Sequence, residues 1–87
     1  MTMKMNKVLV KLYVPMLGES YEVLIPINKK ISGVIVLLVR FINEMTSVKY
    51  NPSNMPLIYD KLTAKRYDIN LTVRESDIKN GTELILI

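Results

Sequence analysis

The sequence predicts an α+β domain: an N-terminal β-hairpin and one long helix packed on a mixed four- to five-stranded sheet. Three observations predict it. Apolar residues recur with period two through residues 8–14 and again through 21–25, the signature of half-buried strands. Between residues 31 and 45 the period changes to 3.6. Finally, the sequence closes on the apolar run "ELILI", in a place where chains more often fray into polar residues, so other elements must cover it.

In the first strand Val8, Val10, Leu12 and Val14 share one face, and Pro15 ends it. The stretch "MLGES" supplies Gly18 for a turn, and residues 21–25 return with Tyr21, Val23 and Ile25 facing inward. In the helix, Ile31, Val34, Ile35, Leu38, Phe41, Ile42 and Met45 fall within about 60° on either side of Leu38, taking ~100° per residue. Its β-branched residues lower intrinsic helix propensity, so packing on a sheet must hold it. Asn28 or Ser32 is the expected cap.

The stretch "VKYNPSNMP" has loop chemistry. Residues 57–59 form a short strand with Leu57 inward and Ile58 outward, and "DKLTAKRYD" gives a turn with a minimal further strand. Leu71, Val73 and Ile78 are expected anchors of a turn-rich passage, and Asn80-Gly81 is a strong turn signal. The final strand slots beside the first, parallel to it and in mid-sheet, which explains the terminal apolar run. There is no repeat, linker or low-complexity segment, so residues 1–87 form a single domain, with 1–6 expected to be a flexible terminus.

Composition narrows the chemistry. Cysteine and histidine are absent, which removes disulfides, thiolate nucleophiles, the usual general base and the commonest metal ligands. No spacing suggests a buried lysine or a paired acid, and Glu75 with Asp77 falls short of a six-ligand calcium site, so no catalytic residue, metal or cofactor is expected. The net charge is +4, but the cations are scattered, among them Lys4, Lys7, Lys11, Lys29, Lys30, Lys61, Lys65 and Arg66, a pattern that reads as solvated charge; nucleic acid is not an expected partner. Lys11 interrupts the first apolar stretch, and "ISGVIVLLVRFI" meets Arg40 well short of the ~20 residues a membrane span needs. The expectation is a cytoplasmic protein without direct membrane insertion. A hydrophobic content of 49% leaves apolar surface for a protein partner.

The element order is that of the β-grasp, and "LIYDKLTAKRYDINLTVRESDIKNGTELILI" resembles the second half of ubiquitin. "LYVPMLGESYEVLIPINKKI" and "DIKNGTELILI" are more specifically similar to the YukD and EsaB family, small bacterial ubiquitin-like proteins of Gram-positive type VII secretion systems. The resemblance spans residues 8–87. It implies a non-enzymatic, non-conjugated ubiquitin-like protein that supports or regulates export of WXG-type substrates, with secretion-system components as partners. Ubiquitin and the sulfur carriers of this fold act through a diglycine tail, whereas this sequence ends on Ile87; covalent transfer is therefore not expected. The alternative is a modifier or sulfur carrier whose diglycine tail is missing from this sequence.

Two candidate partner-binding surfaces follow. Alternation from Leu57, Leu84 and Leu86 in the core turns Ile58, Ile85 and Ile87 outward, on the face that matches ubiquitin's main binding patch. On the helix, Val36 and Leu37 lie outside the apolar stripe, where charges are usual, and mark a second contact surface. Weak self-association is a further expectation of such patches.

Overall fold

A computed structural model of the chain describes residues 6–46, 50 and 54–87. The expectations for residues 1–5, and most of the loop reading of "VKYNPSNMP", lie outside the described residues. Strand β1 (Lys7–Val14) pairs antiparallel with β2 (Glu19–Pro26) in an unbroken register from Lys7↔Pro26 to Val14↔Glu19. The turn between them is closed by Gly18, whose φ of 65° suits glycine and whose N–H donates to the Val14 carbonyl at 2.9 Å. Helix α1 (Ile31–Met45) follows, then the short strand β3 (Ile58–Asp60) and β4 (Glu83–Leu86).

The strands form one sheet in the order β2-β1-β4-β3, with β4 parallel to β1 and antiparallel to β3. The terminal apolar run is thus an interior strand. Leu84 and Leu86 are buried with Val10, Leu12 and Val14 of β1, Val23 and Ile25 of β2, and Ile31, Val34, Ile35, Leu38 and Ile42 of α1. Val73 and Ile78 join this core from the turn-rich passage.

Four expectations need correction. Ile58 is fully buried, at 0% exposure, and Leu57 is the half-buried residue that faces outward. The register explains it: directly opposed residues of an antiparallel pair share a face, and Ile58 stands opposite the core residue Leu86. Second, Met45, the last residue of α1, is 63% exposed, whereas Phe41 is half-buried and packs against the core as the stripe expects. Third, Leu71 lies at the surface.

The fourth concerns the helix start. Lys30 occupies the cap position and no side chain caps it. The first free N–H groups are instead taken by the distant segment 69–71: Ile31 donates to the Leu71 carbonyl at 2.8 Å and Ser32 to the Ile69 carbonyl at 3.1 Å. Asn28 is used elsewhere, accepting from Arg74 Nε at 2.9 Å. The Val73 and Arg74 N–H groups donate to the Lys29 and Ile27 carbonyls, so a backbone ladder holds the pre-helix segment against residues 69–74.

Candidate binding face of the sheet

The face of the sheet turned away from α1 is built by strand parity. With Val10, Leu12 and Val14 inward, β1 presents Lys7, Leu9, Lys11 and Tyr13 outward. Register then aligns a row across the strands: Tyr13 opposes Ile85, Ile85 opposes Tyr59, and Tyr59 is bridged to Arg66. Leu57 and Ile87 exchange both backbone hydrogen bonds, at 2.7 and 3.0 Å, and so stand opposite each other beside that row. Tyr13, Leu57, Tyr59 and Ile85 are half-buried, and Ile87 is 64% exposed. Together they form a continuous apolar and aromatic patch.

Cations border it. The Lys61 ammonium lies 5.2 Å from the centre of the Tyr13 ring, within cation–π range, and Arg66 is exposed at the end of the row. Beyond Ile87 the patch runs into a cleft of about 300 Å³ lined by Pro15, Met16, Met55 and Pro56.

Asp60 and Tyr67 hold the turn after β3, which carries Lys61 and Arg66. Asp60 Oδ1 accepts from the Leu62 and Thr63 N–H groups at 2.8 and 3.0 Å, and the buried Tyr67 hydroxyl donates to its Oδ2 at 3.2 Å. The Thr63 N–H, with these other donors, holds the Asp60 carboxyl below its ordinary range. Burial, aided by Asp77 and Asp60, pushes the Tyr67 phenol up. Lys65 reaches Asp77 at 3.2 Å and lowers its carboxyl pKa, which ties the turn to residues 76–78.

Of the residues expected to bind partners, Ile85 and Ile87 come together on this face, and Ile58 lies beneath it in the core. Val36, at 52% exposure, and the half-buried Leu37 are on α1, on the other side of the sheet. Sequence reading missed Tyr13, Leu57, Tyr59 and Arg66. Tyr13 was legible from the period-two pattern of β1, whereas Tyr59 and Arg66 depend on the β3 register.

No protein-family model matches the chain, and no curated protein sequence matches it. The fold is the ubiquitin-like β-grasp: a hairpin, one helix and a mixed sheet with the last strand beside the first. Among solved structures, the EccD5 ubiquitin-like domain from Mycobacterium xenopi superimposes with a TM-score of 0.74 at 15% identity, covering 93% of this chain and 92% of that one. The ubiquitin-like domain of the Mycobacterium tuberculosis type VII secretion protein EccD1 gives 0.66 at 8% identity, covering 95% and 99%. A chain of the MycP5-free ESX-5 inner membrane complex gives 0.75 at 15% identity; 94% of this chain is covered, but it spans only 21% of that larger protein.

Proposed function

We propose that this chain is a non-enzymatic ubiquitin-like binding module of a Gram-positive type VII secretion system, of the YukD and EsaB kind, acting in the cytoplasm on a protein component of the machine. The observation that carries the reading is the row Tyr13, Ile85, Tyr59 and Arg66, with Leu57 and Ile87 beside it, on a sheet face that α1 leaves open. Apolar clusters of this kind on small domains mark protein interfaces, and tyrosine and arginine are the residues enriched at their energetic centres. The likeness to ubiquitin-like domains of type VII secretion proteins, one of them part of an inner membrane complex, supports the choice of system.

In this reading the domain docks and is not covalently transferred. The sheet face supplies affinity, while Lys61 and Arg66 select a partner with acidic residues at the patch border. The test is cross-linking in the native bacterium, with a photoreactive amino acid at position 59 and, as comparison, at position 36. Adducts from position 59 that contain a secretion-system component support the reading. Adducts only from position 36, or a ladder of conjugates that survives denaturation in unirradiated cells, would overturn it.

A further inference from the structure

Among the described residues, the outer edge of β2 pairs with no further strand. At the opposite end of the sheet, β3 is covered: the Asp60 N–H donates to the Lys65 carbonyl at 2.8 Å and the Tyr67 N–H to the Ile58 carbonyl at 3.1 Å. Nothing comparable covers β2 among the described residues.

The direction of its backbone groups follows from β1. The Lys11 N–H donates to the Thr82 carbonyl, the Leu9 carbonyl accepts from Gly81, and the Leu9 N–H donates to Asn80 Oδ1, so the odd-numbered residues of β1 turn toward β4. The even-numbered ones therefore turn toward β2, and the register makes Val10↔Val23 and Leu12↔Tyr21 the hydrogen-bonded pairs. Tyr21, Val23 and Ile25 are thus committed to β1. Ser20, Glu22 and Leu24 aim their N–H and C=O groups outward, and Pro26, which has no N–H, falls on the open side where none is needed. The strand is regular over eight residues with no bulge and no lysine or arginine; Glu19, Glu22 and Pro26 are the edge-blunting residues it carries, and none of them blocks the outward N–H and C=O groups of Ser20, Glu22 and Leu24.

Side chains on both faces limit what could lie there. On the helix side, Tyr21 packs edge-to-face on Phe41 with ring centroids 6.0 Å apart, and Leu37 sits one turn before Phe41; both helix residues are half-buried, forming an apolar wall beside the edge. On the outer side, charges alternate across the sheet: Lys61, whose N–H donates to the Glu83 carbonyl, then Glu83, then Lys11, then Glu22. The series stops at the open edge on an acid, where the alternation calls for a cation, and opposed unlike charges stabilise cross-strand pairs. A second copy of β2 cannot supply one.

We propose that the β2 edge is a strand-addition site for an extended segment of another protein, with apolar residues at alternate positions and a lysine or arginine opposite Glu22. The main chain of the segment pairs with Ser20, Glu22 and Leu24, its apolar residues lie against Leu37 and Phe41, and its cation completes the series. This site is distinct from the Tyr13, Ile85 and Tyr59 patch and does not depend on it.

The probe is the capped peptide Thr-Val-Lys-Val-Thr-Val-Thr, titrated into the labelled protein while backbone amide resonances are followed. Binding is expected to shift Ser20, Glu22 and Leu24 and to slow their hydrogen exchange, with the Tyr59→Asp variant binding equally well. Glu22→Lys should weaken the lysine peptide by at least about threefold and strengthen the same peptide carrying glutamate in place of lysine. Shifts confined to the outer-face patch, shifts insensitive to the charge at position 22, or no binding at millimolar peptide would each overturn the proposal. So would the same three amides moving on concentration of the protein alone, which would assign the edge to a second copy.

Discussion

At the scale of single residues, the distinction that matters most is between two neighbours in β3. Ile58 has no exposed surface and opposes Leu86 in the core, whereas Tyr59 opposes Ile85 on the open face. A charge placed at 58 would be buried without a partner, a class of change that costs more than about 4 kcal/mol, out of the roughly 5–15 kcal/mol that hold a small domain together. Ile58→Asp should therefore abolish the cooperative melting transition, and Tyr59→Asp should retain it; equal melting temperatures for the two variants would contradict the register. The sequence around them, "LIY", carries three apolar side chains in a row, so alternation alone cannot set its phase. In β1 the phase is plain, because Lys7 and Lys11 break the apolar run on the outward side. That is why Tyr13 and the core of β1 are readable while β3 is inverted.

At the scale of elements, the order hairpin, helix, short strand and interior terminal strand follows from hydrophobic period and turn residues, and the structure has that order. The capping of α1 does not follow from local sequence, because its partners are backbone carbonyls nearly forty residues away in sequence, roughly the separation between Ile31 and Leu71. The first turn of the helix also contains Gly33, over which the Lys29 side chain folds: a Cβ added there would meet Lys29 Cε at 2.8 Å. Lys29 is exposed and its stem can swing aside. Glycine in a helix interior costs up to about 1 kcal/mol relative to alanine. Gly33→Ala is thus expected to stabilise the domain by about 0.5 kcal/mol, seen as a rise of about 2–4 °C in Tm. A fall would mean that the Lys29 packing matters more than the helix propensity.

At the scale of the whole molecule, stability should form a plateau in pH. The carboxyls of Asp60, Glu75 and Asp77 are held below their ordinary values, chiefly by the Thr63 N–H, the Thr72 N–H and the Lys65 ammonium respectively. A depressed folded pKa contributes stability above the unfolded value and loses it as pH falls through the folded value, so Tm should drop in acid. Tyr67 works in the opposite sense: burial raises its phenol, so its contribution is intact below the ordinary tyrosine value of 10.0 and is lost as pH rises beyond it. Melting curves across pH should show both flanks, with Asp60→Asn flattening the acid one; a Tm that rises on acidification would contradict these assignments. Function belongs to this scale as well, because the proposed interface exists only when β1, β3 and β4 bring Tyr13, Tyr59 and Ile85 into one row. The most direct measurement is the recovery of the proposed secretion-system partners with tagged chain from detergent-solubilised membranes of the source cells, comparing wild type with Tyr59→Asp/Ile87→Asp after both are shown to melt cooperatively. At least a tenfold loss of recovery is expected, as when an apolar anchor worth more than about 1.4 kcal/mol is removed. Undiminished recovery with the folded double variant would contradict it.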